Sequence, residues 1–363
     1  MSSATKGIEE QVGARIAAGL NCAVPFNTSD RVLLGHGSGG KLSAALVRDR
    51  FLPKFDSAEL AQLGDAAVVS VESDAIAIST DSFVVSPLEF PGGNIGTLAV
   101  NGTVNDVAMM GARPLWLTVG FILEEGLPLE VLDRVTASMA EAARSAGVAI
   151  VAGDTKVVER GKADGMFINT TGVGAIDSSF RPSPEKARAG DAIIVTGEIG
   201  AHGITIMAAR EGLEFDADLA SDSAALTPLV DALRESVGAE IRALRDPTRG
   251  GVASTLNEIA AASRVGMVLE EGAIPVPTAV AAACEMLGLD ALYVANEGVC
   301  VAIVPPDLAD LAVTALRARP LGRNARVIGR VVAEHPGMVV MRTSIGGTRV
   351  VDMLPGDQLP RIC

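Results

Sequence analysis

A proline-rich break at residues 181–184 most constrains what this chain can fold into. Each proline fixes one backbone dihedral angle and removes a hydrogen-bond donor, so neither a helix nor a central strand can run through this stretch. Apolar runs flank the break on both sides, and 363 residues are enough for two separate cores. We therefore predict domains over residues 31–180 and 185–345, with an N-terminal extension over residues 1–30 and a C-terminal tail over residues 346–363.

Both predicted domains mix helices with strands. In the first domain, apolar residues predict two strands joined by a hairpin turn, over residues 66–71 and 75–80. The helical spacing of apolar residues predicts helices over residues 95–110 and 129–146. Strands and helices do not alternate strictly in either domain, so the pattern supports a fold class between α/β and α+β.

The charge balance and the scattered cysteines narrow the range of functions. A formal net charge of −14 and an aromatic content of 3% argue against nucleic-acid binding, because basic and stacking side chains are scarce. No apolar run is long enough to predict a membrane span. The four cysteines lie far apart without a paired spacing, which is typical of a reducing compartment, and we expect a cytoplasmic protein.

A glycine-rich stretch that includes Gly37, Gly39 and Gly40 is followed by Lys41. Consecutive glycines leave backbone N–H groups free to surround an anion, and the lysine adds a positive charge. The stretch fits two phosphate-binding patterns and identifies neither, since Leu42 replaces the serine or threonine of a P-loop. Phosphate binding and a mobile loop are equally good interpretations of this stretch alone.

Three aspartates, Asp65, Asp81 and Asp154, adjoin apolar runs that we interpret as strands. Magnesium bound to a nucleotide triphosphate takes a few carboxylate oxygens, and phosphate and water complete its shell. Lys156 could offset the remaining negative charge. A single aspartate at a strand end is more often part of a turn, but together with the amide stripe below these residues favour nucleotide binding.

The predicted helix over residues 95–110 carries an unusual polar stripe. Asn101 and Asn105 are four residues apart and share one face, and Asp106 lies beside them. Amide side chains do not pack into an apolar core without hydrogen-bond partners. The stripe therefore indicates a binding site or a polar interface along this helix.

The second domain contributes two candidate segments. Residues 245–251 contain two arginines and a threonine before a predicted helix, and they could bind an anion or fix a domain interface. Glu297 lies between apolar strands in the sequence Asn-Glu-Gly. It is either a solvated turn residue or a general base with a raised pKa.

The chain ends on a thiol, that of Cys363. Glycine and proline breaks upstream predict that the tail leaves the folded body near residue 355, and its last eight residues could span about 25 Å when extended. A thiolate attacks activated carbonyl carbon and can pass on the acyl group that it holds. On residue type alone a frayed terminus is the commoner explanation, and the other motifs favour a carrier.

These motifs resemble the hydrogenase maturation factor HypE family, within the PurM-like (AIR synthetase and selenophosphate synthetase) superfamily. The resemblance runs from about Val32 to Cys363 and rests on residues 36–40, 65–67, 80–87, 101–111, 153–157, 245–251, 295–298 and 360–363. The nucleotide motifs belong to the superfamily, and the ending Pro-Arg-Ile-Cys is specific to HypE. Gly64 departs from relatives that carry a second acid beside Asp65, and residues 1–30 have no recognised counterpart.

The resemblance implies a two-domain, AIR synthetase-like fold with a flexible C-terminal tail, and a homodimer with ATP and Mg²⁺ near the interface of the first domains. It implies that the carbamoyltransferase HypF loads a carbamoyl group onto Cys363. ATP then drives dehydration of this group to a thiocyanate, which supplies the cyanide ligand for the iron of [NiFe]-hydrogenases through the HypC–HypD complex. The alternatives are a PurM-like enzyme that phosphorylates a small molecule, and a nucleotide-switched carrier without dehydratase activity.

The resemblance also assigns roles to residues. It implies catalytic roles for Cys363, Glu297 and Lys156. It implies contacts with the nucleotide or its metal for the following residues: Gly37, Gly39, Gly40, Lys41, Asn101, Asn105, Asp106 and Thr155 for ATP, and Asp65, Asp81, Asp106 and Asp154 for magnesium and phosphate.

Overall fold

The structure, a computed structural model, describes residues 29–38, 41–63, 67, 69–73, 75–213, 219–353, 359 and 361–363. The predicted site residues Gly39, Gly40 and Asp65 and the side chain of Lys41 lie outside the described residues. Most of the predicted N-terminal extension does so as well.

The first domain is built on a four-stranded sheet. Its elements are α1 (Lys41–Leu46), α2 (Leu52–Phe55), β1 (Ala75–Phe83), β2 (Glu89–Phe90), β3 (Gly93–Asn94), α3 (Ile95–Met109), β4 (Ala112–Glu124), α4 (Leu129–Ala146), β5 (Ala149–Val158) and β6 (Met166–Ile176). The strand order is β1-β6-β4-β5, in which β4 and β5 are parallel and the other pairs are antiparallel.

The predicted hairpin between residues 66–71 and 75–80 is wrong. The described residues 67 and 69–71 are not in a strand, and β1 pairs along its whole length with β6 instead. Alternation along a strand indicates which side chains are buried but does not identify the partner strand. The true partner lies about ninety residues further along the chain, as the pairing of Thr80 with Thr171 illustrates.

The two faces of this sheet differ. Helices α3 and α4 cover one face, where Phe83, Leu117 and Ile168 form the core. On the other face apolar side chains remain exposed: Ile76 is 45% exposed, Ile78 is 64% exposed and Ile122 is 42% exposed. We call this side the open face of the first-domain sheet, because within the described part of the chain its apolar side chains stay exposed.

Helix α3 is the central helix of the molecule. Asn94 caps its N-terminus, since the side-chain oxygen accepts hydrogen bonds from the backbone N–H groups of Gly96 (2.9 Å) and Thr97 (3.1 Å). Gly111, with a φ of +74°, follows its C-terminus. The prediction of a helix over residues 95–110 is thus confirmed to within one residue. The helix is buried on nearly every side, between the sheet and the second domain.

The second domain is built on a seven-stranded sheet with the order β13-β12-β9-β11-β7-β10-β8. Its elements are β7 (Ala192–Val195), α5 (Ala201–Glu211), α6 (Thr227–Ser236), β8 (Ala243–Arg245), α7 (Gly251–Ser263), β9 (Gly266–Glu270), α8 (Thr278–Leu287), β10 (Val301–Val304), α9 (Ala309–Arg317), β11 (Arg326–Val332), β12 (Val339–Arg342) and β13 (Thr348–Val350). The predicted mixture of helix and sheet in both domains is confirmed. None of the described helices is both long enough and apolar enough to cross a membrane.

The amide stripe on α3 joins the two domains. The side chain of Asn105 donates a hydrogen bond to the carbonyl oxygen of Ala224 (3.0 Å) and accepts one from the backbone N–H of Leu226 (2.7 Å). Asn101 donates to the hydroxyl of Ser223 (3.2 Å). Buried amides paired in this way fix the second domain against α3, so the groove between the domains has a defined shape.

Candidate active site

A cleft of about 410 Å³ lies between the two domains. Strand β1 and helix α3 form one wall, and the segment between β8 and α7 forms the other. Its chemically active lining residues are Asp81, Asp106, Arg245, Asp246, Thr248, Arg249, Glu297 and Cys363. Four of the predicted site residues therefore meet in one cleft: Asp81, Asp106, Glu297 and Cys363.

The carboxyl groups in this cleft are crowded and largely withdrawn from water. Burial raises the pKa of Asp106, although the Ser79 hydroxyl donates a hydrogen bond to it (2.7 Å). Burial and the neighbouring Asp106 raise the pKa of Asp246 to about 7. Burial and several neighbouring carboxylates raise the pKa of Glu297 well above its ordinary value. The protein alone therefore gains by keeping protons, or by taking up a cation, in this cleft.

Glu297 is held in a rigid turn. The buried Asn296 side chain accepts from the backbone N–H of Gly200 (2.6 Å) and donates to the carbonyl oxygen of Pro247 (2.9 Å). The carboxylate of Asp222 accepts hydrogen bonds from the backbone N–H groups of Glu297 and Gly298, both at 3.1 Å. Of the two interpretations of Glu297, a solvated turn residue is wrong because Glu297 is buried, and its role as a general base stays a prediction.

The C-terminal residues run alongside residues 84–86, and Cys363 reaches the cleft. The backbone N–H of Val84 donates to a terminal oxygen of Cys363 (3.1 Å), and that of Ser86 donates to the carbonyl oxygen of Arg361 (3.4 Å). The side chain of Ile362 is only 5% exposed and packs in the core of the first domain. The thiol-bearing residue is therefore docked in the same cleft as Glu297, and a frayed terminus is excluded for residues 361–363.

A second region gathers the other predicted residues. Gly37, Asp154, Thr155 and Lys156 line a pocket of about 170 Å³ at the β5 edge of the first-domain sheet. A side chain at Gly37 would clash, because its Cβ would lie 2.4 Å from the backbone nitrogen of Val157. The Lys156 ammonium lies 3.5 Å from the Asp154 carboxylate, and both side chains are largely exposed.

Asp154 does not lie with Asp81 and Asp106 in the single chain, and its place in the magnesium and phosphate shell stays a prediction. Across the sheet, Asp81 on β1 aligns with Thr170, Thr170 with Val119, and Val119 with Gly153, the residue before Asp154. Three strand spacings of about 4.8 Å separate the two edges by about 14 Å. Asp154, Thr155 and Lys156 therefore lie on the opposite edge of the sheet from the cleft.

The donor set in the cleft suits magnesium only in part. Among the residues that the structure describes, no three acidic, imidazole or thiol side chains converge on one metal position. Magnesium, however, binds triphosphates through one or two carboxylates and completes its octahedron with phosphate and water. The carboxylates of Asp81 and Asp106, in a cleft that already favours a cation, fit that requirement.

Sequence reasoning missed three residues around the cleft. Asp246 is not identified because the interpretation of residues 245–251 rests on the two arginines and the threonine in this segment. Asp222 has no motif of its own. His202 has no metal-ligand spacing in the sequence, whereas in the structure it is buried and contacts the C-terminal tail. Only the aspartate inside residues 245–251 carried a signal that the sequence could have revealed.

Two family models match the chain. The N-terminal domain of AIR synthase related proteins matches residues 63–176, and the C-terminal domain matches residues 188–341. The carbamoyl dehydratase HypE of Rhizobium leguminosarum bv. viciae is 54% identical over 333 residues, which cover 92% of this chain and 95% of the relative.

Solved structures of HypE proteins have a fold similar to that of this chain. A crystal structure of hydrogenase maturation protein HypE in complex with ATP has a TM-score of 0.88 and 53% identity, and the match covers 91% of this chain and 99% of that one. A crystal structure of a HypE–HypF complex gives a TM-score of 0.75 and 46% identity, with 85% and 100% covered. The two-domain AIR synthase-like fold is thereby confirmed, and the chain belongs to the carbamoyl dehydratase HypE family of AIR synthase related proteins.

Proposed function

We propose that this protein dehydrates a carbamoyl group carried on the sulfur of Cys363 to a thiocyanate, at the expense of ATP. The observation that carries this proposal is the docking of Cys363 in the same enclosed cleft as Glu297. A carrier that only presented its tail to partners would not need its thiol beside a buried carboxyl group. An enzyme acting on a free small molecule would not need a cysteine there at all.

The chemistry fits the groups that line the cleft. The carbamoyl oxygen is a poor leaving group, so it first attacks the terminal phosphoryl group of ATP, which releases ADP. Loss of the two N–H protons and departure of the oxygen as inorganic phosphate then leave a carbon–nitrogen triple bond on sulfur. Glu297 accepts a proton from the nitrogen, and its raised pKa makes its ionised form a stronger base than an exposed glutamate.

The cleft also protects the phosphorylated intermediate. Water that reached this group would hydrolyse it and waste the ATP. Cys363 lines the cleft on one side, and the Asn296 side chain bonds backbone groups to hold the turn that carries Glu297 on another. We propose that these two elements of the domain interface keep water from the intermediate.

We propose that Mg²⁺ accompanies ATP and that Asp81 and Asp106 hold it. When bound, the ion offsets charge on the phosphates. The chain's own contribution is the pair of carboxylates, one of them oriented by the Ser79 hydroxyl. Arg249 lies 3.8 Å from Asp81 and could contact a phosphate oxygen. Asn101 and Asn105 act indirectly, since their amides fix the domain interface.

We further propose a homodimer through the open face of the first-domain sheet. The exposed Ile76, Ile78 and Ile122 form an apolar surface that a second copy would bury. A two-fold axis along the strands would place the β5 edge of one protomer over the β1 edge of its partner. Lys156 would then reach the phosphates in the partner's cleft, a role that it cannot fill from about 14 Å away in its own chain.

The remaining expectations are proposals of the same kind. We propose that HypF supplies the carbamoyl group and that the HypC–HypD complex receives the cyano group, in the cytoplasm. A structure of a HypE–HypF complex supports the first of these. We also place the domain boundary at residues 181–184, between the two family matches.

Intact-mass measurement tests the proposed function. The protein is incubated with HypF and carbamoyl phosphate, then with ATP. We expect a carbamoyl increment on the peptide that ends at Cys363, followed by loss of one water. Retention of the carbamoyl mass in the presence of ATP would contradict the proposal. Unchanged ATP turnover on a free small molecule by Cys363→Ala would favour the small-molecule kinase instead.

A further inference from the structure

We propose that His202 is a positioning residue for the dehydration, because it fixes the terminal cysteine relative to Glu297 through the carbonyl oxygen of Ile362. This inference rests on the proposed function. His202 lies on α5 of the second domain and is fully buried. Its Nε2 atom is 2.7 Å from the carbonyl oxygen of Ile362, 160 residues further along the chain. Its Nδ1 atom is 2.8 Å from the hydroxyl of Ser221.

The contacts define the protonation of the ring. A carbonyl oxygen can only accept, so Nε2 carries the hydrogen and donates it to Ile362. In the neutral ring Nδ1 then accepts a hydrogen bond from Ser221. Burial lowers the pKa of His202 to about 4, so the ring is neutral at physiological pH. The edge of the ring also packs against Phe90, at 5.9 Å between ring centroids.

The hydrogen bond from His202 acts on the peptide group between Ile362 and Cys363. The carbonyl oxygens of Arg361 and Cys363 accept hydrogen bonds from the backbone N–H groups of Ser86 and Val84, whereas that of Ile362 accepts one from His202. The backbone on both sides of the Cys363 Cα atom is therefore fixed, so the sulfur is positioned mainly by one side-chain torsion.

Residues 221–223 connect His202 to the proposed general base, Glu297. Ser221 binds His202, and its neighbour Asp222 accepts the two backbone N–H groups of the Glu297 turn. The Ser221 hydroxyl also accepts a hydrogen bond from the backbone N–H of Ser223 (3.1 Å). Residues 221–222 thus contact the residue that anchors the thiol carrier on one side and the turn that carries the base on the other, so one segment orients both.

The test uses two substitutions of one residue. His202→Phe keeps an aromatic ring against Phe90 but leaves the Ile362 carbonyl without its donor. His202→Gln can place an amide N–H near the position of Nε2 and serves as the matched control. Pre-carbamoylated protein is mixed with saturating ATP, and loss of water is followed by intact mass. We expect about a tenfold lower rate for His202→Phe and a rate within about threefold of wild type for His202→Gln.

A readout without ATP separates docking from catalysis. Alkylation of Cys363 by iodoacetamide, followed on the C-terminal peptide, should be several-fold faster in His202→Phe and unchanged in His202→Gln. The buried Cys284 and Cys300 do not interfere, because burial raises the pKa of their thiols to about 11 and about 12. Loading of Cys363 by HypF should not slow in either variant, whereas general misfolding would slow it.

The outcomes are distinct. If wild type loses water and His202→Phe does so equally fast, or if His202→Gln is as slow as His202→Phe, the positioning role is wrong. If wild type never loses water while alkylation still responds to His202→Phe, the proposed function fails and the docking role stands. Should His202→Phe fail to fold, Ser221→Ala replaces it, and an unchanged rate of Cys363 alkylation in that variant would overturn the inference.

Discussion

The cleft between the domains and the β5 edge of the first-domain sheet carry the two halves of the predicted site, and they are built differently. The cleft lies between the two domains, is rich in carboxyl groups that are largely buried, and holds Cys363 and Glu297. The β5 edge is open, and Asp154 and Lys156 there are largely exposed with only each other as ion-pair partners among the described side chains. A buried base needs enclosure, whereas a phosphate-binding cation needs access for ATP. This separation is the basis of the proposed dimer, in which a second copy completes the site.

The largest expected effect is that of a substitution at Glu297 in the cleft on the rate of dehydration. Glu297→Gln removes the proton acceptor while preserving size and shape. We expect the rate of water loss from carbamoylated Cys363 to fall by about 10²–10⁴-fold, the usual contribution of a general base. Intact mass over time measures the rate. Carbamoylation by HypF is the control, and a Glu297→Gln rate near that of wild type would remove Glu297 from the mechanism.

The second-largest effect tests whether Lys156 at the β5 edge of one protomer acts in the cleft of its partner. We expect Lys156→Ala to lower the rate of ADP release by about 10²-fold, because a charge on the transferred phosphoryl group is lost. Mixing Lys156→Ala with Glu297→Gln should restore part of the activity, since a mixed dimer holds one cleft with an intact base and an intact partner lysine. If the mixture is no more active than its components, each chain uses its own Lys156.

A smaller effect is expected at the open sheet face. Ile78→Asp places a charge in the proposed apolar interface, so we expect the dissociation constant of the dimer to rise about tenfold or more. Sedimentation velocity over a range of protein concentrations measures it. Ile345→Asp, at a residue that is 94% exposed in the second domain, is the matched control. Equal self-association of wild type and Ile78→Asp would place the interface elsewhere.

The smallest effect concerns stability and pH. The folded-state pKa of His202 is about 4, against an ordinary value of 6.5. The unfolded chain therefore takes up a proton as the pH falls from about 6.5, while the folded protein does not, and stability is lost between pH 6.5 and 4. We expect the Tm of wild type to fall by a few degrees more than that of His202→Gln over this range. Asp154→Asn at the exposed edge should follow wild type.

The same two regions show what the sequence could predict. Helix α3 was predicted to within one residue because Asn94 and Gly111 mark its ends locally. Asp106 and Glu297 could be singled out because a polar side chain within an apolar run needs a hydrogen-bond partner or a function, and the structure places both in the cleft. The strand order was not readable, since β1 pairs with a strand distant in the chain, and this order alone separates Asp154 from Asp81.

The contact of His202 with the tail could not be predicted for a related reason. Its partner is a backbone carbonyl group, which every residue has, so no residue type marks the interaction in the sequence. Its position depends on how α5 packs against the first domain. Contacts of this kind become visible only once both domains and the tail are placed.

The fate of the carbamoyl oxygen tests the central claim most directly. Cys363 is loaded with a carbamoyl group that contains isotopically heavy oxygen, ATP is added, and the inorganic phosphate is analysed by mass spectrometry. If the cleft dehydrates its own cargo by phosphorylation, one heavy oxygen appears in phosphate for each thiocyanate formed on Cys363. Thiocyanate formation with the heavy oxygen found only in water would contradict the account.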